Sequence, residues 1–363
     1  MREPIASGTL SLGSMDLYRK LLFPLLTLAD AEASHNAVLR LLSMSSPLAA
    51  LLRRALAVND ARLAVRLFGL EFPNPVGLAA GFDKNGVALP AIAGLGFGHI
   101  EVGTVTPRPQ PGKPRPRLFR LKQDEALVNR LGFPSQGAAV VARNLARLRR
   151  RGFVLGVNIG PNADSVGVDD FVAGAFALSP HADYVTVNVS SPNTAGLRGM
   201  QHAETLAHLL EALDWLQPPL LVKIAPDLTD DGLRETVDVL LAHRVAGVIA
   251  ANTTLDRPAS LKSGHSTQAG GLSGEPLRQR STEVVRLIHH HAEGKLPIVG
   301  VGGVATAADA LEKIEAGASL VQLYTGFIYQ GPLAARSINL GLLSELDRRG
   351  AASIQDLIGS AGH

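Results

Sequence analysis

The chain has no cysteine. Disulfides, thiolate metal sites, iron–sulfur clusters and cysteine nucleophiles are therefore excluded. Aromatic residues make up only 4% of the sequence, so the interior has to be built from Ala, Val, Leu and Ile. No segment reaches the ~18 uninterrupted apolar residues of a membrane-spanning helix. The start, MREPIASGTLSLGS, has no apolar core flanked by positive charge and does not read as a secretory signal. Met15 is a candidate alternative start, with the first fourteen residues a disordered extension. A net charge of +3 is too small for the basic face that duplex binding needs, so no nucleic-acid partner is expected. Mild basicity suits an anionic substrate or an anionic lipid surface.

What is present is length and apolar content. The 363 residues are 46% hydrophobic, and a β/α barrel occupies roughly 250 residues, which leaves room for an appendage. From about Met15 to Asn59 the pattern is helical. Leu17, Leu21, Leu22 and Leu25 form one apolar stripe that Pro24 ends or kinks. A second helix is read over Ala31–Ser43, and a third after Pro47, with Leu48, Leu51, Leu52 and Leu56 beside Arg53 and Arg54.

Beyond Asn59, strand-like runs alternate with amphipathic stretches. The strands are read at Val76–Ala79, Ile100–Gly103, Leu155–Ile159, Tyr184–Val189, Leu220–Ile224, Gly247–Asn252, Pro297–Val301 and Leu320–Tyr324. Helices are read between them, at Ala138–Arg150, Thr205–Leu216, Asp231–Ala242, Thr282–His291 and Ala307–Ala316. Parallel strands need such crossovers. The expected fold is α/β, a (β/α)8 TIM barrel with a small N-terminal helical extension, with residues 1–59 as the extension and 60–363 as the barrel; a doubly wound open sheet is the alternative. Each strand finishes in small, polar or charged residues: AAGFDK, GTVTPR, NIGPN, NVSSPNT, KIAPD, ANTT, GVGG and LYTG. The carboxyl ends of barrel strands form the active face, so this pattern points to an enzyme.

Several groups at those ends carry chemistry. Gly270, Gly271 and Gly274, then Gly300, Gly302 and Gly303, then Tyr324, Thr325 and Gly326 place glycine-rich backbone where barrels cradle phosphate. Lys223 closes the fifth strand and needs an anion or a chemical role. It suits the charge of a reduced flavin, a Schiff base as in barrel aldolases, or a structural pair with Asp227. Asn129, Asn158, Asn188, Asn193 and Asn252 both donate and accept, as a pyrimidine or flavin ring requires. On pattern alone Ser190 and Ser191 read as turn serines before Pro192.

The runs LAAGFDKNG, EVGTVTPRPQPG, LVNRLGF, GVNIGPN, NVSSPNTAGLR, VKIAPD, NTTLDR, GGLSGEPL, PIVGVGGV and GASLVQLYTGFIYQGP resemble, in order, the motifs of class 2 dihydroorotate dehydrogenases, over roughly Leu70 to Pro332. The resemblance implies FMN as cofactor, dihydroorotate as substrate, orotate as product and a membrane quinone as final acceptor. It makes Ser191 the base that takes the C5 proton, with a water or Thr relay carrying it away. Enzymes of the soluble class have Cys there. It implies FMN contacts from Ala79, Ala80, Gly81, Lys84, Thr104, Asn158, Asn188, Lys223 and Ala251, and a phosphate cradle of Gly274, Gly303, Tyr324 and Thr325. It gives the pyrimidine to Lys84, Asn129, Arg130, Leu131, Gly132, Phe133, Asn188, Asn193, Asn252 and Thr253.

Ala251 stands where the family often has Thr, so a backbone contact to the flavin is expected to replace a hydroxyl. Asn85, where an acidic residue is common, is read as surface variation. The helical extension resembles the class's quinone-binding piece, and the resemblance puts His35, Arg108 and Tyr324 around the quinone head group. The protein is then expected as a monomer, peripheral on the cytoplasmic side of the cell membrane, with the N-terminal helices meeting the membrane surface. The rival readings are a Schiff-base aldolase using Lys223 and a membrane-peripheral flavin carrier.

Overall fold

The computed structural model describes residues 17–148 and 152–362. Met15, the stretch 1–14, Asp16 and the last two residues of the helix read as Ala138–Arg150 lie outside the described residues. Eight strands close into a barrel: β1 (Val76–Leu78), β2 (His99–Val105), β3 (Val154–Ile159), β4 (Tyr184–Asn188), β5 (Leu220–Ile224), β6 (Gly247–Ala250), β7 (Ile298–Val301) and β8 (Leu320–Leu323). Every neighbouring pair is parallel, and β8 returns to β1. Closure rules out the open-sheet alternative. The strands are buried on both faces, which is why their sequences are nearly continuous apolar runs rather than alternating ones.

The interior is packed by pairing bulk with emptiness. A Cβ at Gly156 of β3 would lie 2.1 Å from Cζ of Tyr184 on β4, and one at Gly77 would lie 2.1 Å from Nε2 of His99. Each glycine therefore vacates the space that a neighbouring strand's ring fills. Helices cover the outside, and Asp230–Ala242 and Ala307–Glu315 start on side-chain caps. Thr229 accepts from the Gly232 N–H at 3.1 Å to begin Asp230–Ala242, and Thr306 with Asp309 forms a capping box for Ala307–Glu315.

Two additions were not foreseen in the sequence. An antiparallel hairpin, Val65–Leu67 with Leu70–Phe72, precedes the barrel. A three-stranded antiparallel sheet, Leu118–Leu121, Ala126–Asn129 and Gly271–Gly274, contributes Asn129, Ser273 and Gly274 to the cleft at the mouth. The GGLSG run is thus partly strand.

The N-terminal part has a π-helical turn, Tyr18–Leu22, running into Phe23–Leu26, then α1 (Ala31–Met44) and α2 (Ala49–Leu56). Pro24 sits near the start of the Phe23–Leu26 turn rather than ending the helix. The Asp30 carboxylate caps α1, accepting from the N–H groups of Glu32 and Ala33 at 3.0 Å. Helix α2 packs on α3 (Leu89–Gly94), so closely that a Cβ on Gly94 would lie 2.9 Å from the Ala49 carbonyl oxygen. Leu17, Leu21, Leu22, Leu25, Leu28, Leu41, Met44, Leu48 and Leu51 are all exposed on this part of the molecule. No described helix is long and apolar enough to cross a membrane.

Candidate active site

A cleft opens at the carboxyl ends of the barrel strands, the face on which barrel enzymes carry their sites. One end is bare backbone. Gly274, Gly302 and Gly303 line it with φ of 103°, 118° and 70°. A Cβ at Gly303 would lie 2.3 Å from Cβ of Arg278, and one at Gly274 would lie 2.4 Å from the Glu125 carbonyl oxygen. Side chains are excluded by both conformation and space, so main-chain atoms form the wall. Ser273 Oγ and Thr325 Oγ1, 2.8 Å apart, add hydroxyls beside it.

The middle of the cleft is lined by Ala79, Ala80, Gly81, Thr104, Lys223, Ala251 and Tyr324. Ala251 donates its N–H to the Val301 carbonyl at 2.9 Å. Lys223 is buried, and burial lowers the pKa of its ammonium, with the Glu101 carboxylate opposing that shift. Lys84 donates to the Gly81 carbonyl at 2.7 Å, and burial pushes its pKa down to about 8, against the pull of Glu32.

The other end is amide-rich. Asn129, Asn188, Asn193, Asn252 and Thr253 line it with Leu131, Gly132 and Phe133. Asn193 Nδ2 donates to the Asn129 carbonyl at 3.2 Å, and Asn252 Nδ2 donates to Ser190 Oγ at 3.0 Å. The two serines are distinguished here. Ser190 is fully buried and donates to Asn188 Oδ1 at 3.0 Å, whereas Ser191 lines the cleft and accepts from the Asn193 N–H at 3.3 Å. The loop that carries both is tied down by Arg198, which pairs with Asp227 at 2.7 Å and donates to the carbonyls of Ser190 and Thr253 at 3.2 Å.

Two residues read as site residues stand elsewhere. Asn158 does not line the cleft; it is buried beneath Thr104, whose hydroxyl donates to Asn158 Oδ1 at 2.6 Å. Arg130 turns away, lies 4.7 Å over the Phe119 ring and donates to the Pro116 carbonyl at 2.9 Å.

A second pocket lies between α1 and the barrel and shares Lys84, Leu131 and Tyr324 with the cleft. His35 lines it, edge-on to Phe82 with ring centroids 4.9 Å apart, and burial pushes its imidazole pKa down to about 4. Arg108, expected here, is instead paired with Asp164 at 2.5 Å on the surface. Its place is taken by Arg115 and Arg117, which both bind Glu32 of α1. Sequence reading also passed over Glu101 and Gln322, a buried acid and amide inside the apolar runs of β2 and β8.

A parallel barrel with a glycine-walled end, a buried lysine and an amide ring gathered in one cleft at its strand ends has the layout of a barrel enzyme. Comparison with known proteins agrees. The profile of the dihydroorotate dehydrogenase family matches residues 62–346. Proteins named dihydroorotate dehydrogenase (quinone) are 49% identical over 349 residues in a Synechococcus strain (90% of this chain, 93% of the relative) and 50% identical over 351 in a Roseiflexus strain (93% and 97%). Thermus thermophilus has one 50% identical over 337 residues, covering 90% of this chain and 97% of the relative. The crystal structure of DHODH from Eimeria tenella in complex with ferulenol superposes with a TM-score of 0.84 at 40% identity, covering 92% of this chain and 96% of that one. The chain belongs to the dihydroorotate dehydrogenase family, in its quinone-dependent class 2.

Proposed function

We propose that this chain oxidises (S)-dihydroorotate to orotate in the de novo synthesis of UMP, with FMN in the cleft, Ser191 as base and a membrane quinone as final acceptor. The observation that carries the reading is the single cleft in which an anion cradle, a buried lysine and a cleft-facing serine among amides stand together.

The residues present fit FMN. The glycine wall leaves only main-chain atoms where a phosphate would lie, and Gln322 Oε1, on the cleft wall, is a buried acceptor without a partner among the described residues, ready for a ring N–H. Gly274, Gly303, Tyr324 and Thr325 would hold the phosphate, and Ala79, Ala80, Gly81, Thr104, Asn188, Lys223 and Ala251 the ring system. When bound, FMN supplies the acceptor for a hydride and relays two electrons to the quinone.

Dihydroorotate loses a proton from C5 and a hydride from C6, which leaves the C5–C6 double bond of orotate. Ser191 Oγ receives the C5 proton as its own hydroxyl proton passes on through a water or threonine relay. Asn129, Asn188, Asn193, Asn252 and Thr253 bind the alternating C=O and N–H groups of the pyrimidine and keep C5 at the serine. Lys84 faces the substrate carboxylate. Lys223 places a fixed positive charge where negative charge accumulates on two-electron reduction, the kind of term that dominates such sites. Water is kept out by the loop that Arg198 ties down.

Residues 1–59 serve as the quinone-binding extension and 60–363 as the catalytic barrel. The pocket of His35, Arg115, Arg117 and Tyr324 receives the quinone head, and its shared wall of Lys84, Leu131 and Tyr324 sets the two sites side by side. The exposed leucines of the extension rest in the membrane surface, with the monomer bound peripherally at the cytoplasmic face. Anaerobic addition of dihydroorotate to the purified protein tests the reading. Bleaching of a bound flavin, reversed by a lipophilic quinone, supports it. A colourless protein that takes up no FMN, or a flavin left unbleached, overturns it.

A further inference from the structure

We infer that Glu101 is a positioning residue: this one buried carboxylate sets the direction in which the side-chain amides of the cleft present their C=O and NH2 ends. The inference rests on the reading of the cleft as a flavin and pyrimidine site. Glu101 sits on β2 inside the barrel, 1% exposed. Four donors from three other strands converge on its two oxygens. Asn158 Nδ2 donates to Oε1 at 2.8 Å; Tyr184 OH, Thr186 Oγ1 and Gln322 Nε2 donate to Oε2 at 3.2, 3.3 and 3.3 Å. No acceptor is hydrogen-bonded to it among the described residues, so the site is built for a group that only accepts.

An acceptor-only group fixes everything bonded above it. Asn158 has to turn its NH2 to Glu101, so its Oδ1 points up. The Thr104 hydroxyl then has to donate to that oxygen, which it does at 2.6 Å. With its hydrogen spent, Thr104 Oγ1 accepts from Asn188 Nδ2 at 2.9 Å. Asn188 Oδ1 is thereby left for Ser190 Oγ at 3.0 Å and Asn252 Nδ2 at 3.3 Å. Asn188 and Asn252 line the cleft next to Ser191. A second arm runs through Gln322: its NH2 is held by Glu101, and this exposes the partnerless Oε1 to the cleft wall. An amide that flips swaps a donor for an acceptor with almost no change of shape, so packing alone cannot hold these directions; a terminal acceptor can.

Glu101→Gln is isosteric but offers an NH2. Turned toward Asn158, that group opposes the Asn158 NH2 and reverses the chain, which gives Asn188 and Asn252 the wrong polarity toward a pyrimidine; turned the other way, it is accepted by the Tyr184 or Thr186 hydroxyl but opposes the Gln322 NH2 and swings Gln322 Oε1 off the cleft wall. Adding Asn158→Asp restores the direction. The introduced amide then donates to the introduced carboxylate, and that carboxylate still accepts from Thr104. Thr104→Val cuts the chain without altering any charge, including the one that acts on Lys223. The experiment is titration of FMN-loaded protein with orotate, read from the flavin spectrum, alongside FMN content and melting temperature.

E101Q should bind orotate about tenfold or more weakly, as expected for mispaired buried polar groups, with FMN retained. E101Q/N158D should recover most of that loss, and T104V should be weakened to a similar degree. Orotate affinity unchanged in E101Q or T104V, or a double variant no better than E101Q, overturns the inference. Should E101Q fail to fold, E101Q/N158D decides: orotate affinity within a few-fold of wild type is expected, and a folded, FMN-loaded double variant that binds orotate about tenfold or more weakly overturns the inference. Failure of the unsubstituted protein to bind orotate overturns the cleft assignment instead.

Discussion

Glu32 of α1 and Arg117 of the barrel mouth form a two-point ion pair, Nη2 to Oε1 at 2.7 Å and Nε to Oε2 at 3.0 Å, with their side chains only 13% and 7% exposed. Arg117 is itself held by the carbonyls of Pro111 and Lys113 at 2.7 Å, so the fork is rigid before α1 arrives. Burial pushes the Glu32 carboxyl pKa up, and bonds from Arg117 and Arg115 outweigh this and hold it below its ordinary value. Removing one partner of such a pair costs on the order of 3 kcal/mol, because the other charge stays buried. Glu32→Ala should therefore cut turnover with a lipophilic quinone by about tenfold or more, while reduction of the flavin at saturating dihydroorotate keeps its rate. Steady-state and single-turnover rates measured side by side check this. Equal losses in both would mean that α1 serves the dihydroorotate half of the reaction too.

Lys84 gives the dihydroorotate site a pH limit. Its folded pKa of about 8 lies below the ordinary lysine value, so the ammonium is charged below that pH and neutral above it. The KM for dihydroorotate should be flat below pH 8 and rise by up to about tenfold per unit above it, as the positive charge is lost. Lys84→Met should show the high KM throughout, without the break. A wild-type profile flat to about pH 9.5 would separate Lys84 from the substrate carboxylate.

Gly303→Ala should weaken FMN binding. The new Cβ meets Arg278 at 2.3 Å and the backbone sits at φ 70°, and such strain costs roughly 1–3 kcal/mol before any contact is counted. Fluorescence titration of the apoprotein should show FMN affinity lowered about tenfold or more, with the melting temperature of the apoprotein lowered by several degrees.

Arg198→Met should act through the serine loop. The guanidinium ties Ser190 to Asp227 and Thr253, so its loss frees the loop without touching the cofactor end. Flavin reduction should slow by about tenfold to a hundredfold, as displaced reacting groups do, with FMN content unchanged. A rate equal to wild type would show that the loop holds its position without the arginine.

The barrel was legible because doubly buried parallel strands leave continuous apolar runs, and the strand-end motifs located the cleft. What stayed hidden was short or ambiguous. Leu118–Leu121 and Ala126–Asn129 are four-residue strands, too brief for alternation to show. Arg108, Arg115 and Arg117 all stand in Pro-rich loop sequence and look alike there. Only the path of that loop decides that Arg115 and Arg117 meet α1 and Arg108 meets Asp164. Glu101 did leave a signal, an acid between Ile100 and Val102 in a buried run, but its meaning depends on partners up to 221 positions away in the chain. Ser190 and Ser191 read alike on residue pattern, and only the family resemblance singled out Ser191; in the fold, Asn188 engages Ser190.

The most direct measurement is anaerobic stopped-flow reduction of the bound flavin by dihydroorotate, in wild type and Ser191→Ala. A positioned base contributes typically about 10²–10⁴-fold, so the variant should be slower by that factor, with full FMN content and orotate affinity within a few-fold of wild type. Reduction by Ser191→Ala at the wild-type rate would contradict the assignment of Ser191 as the group that takes the C5 proton.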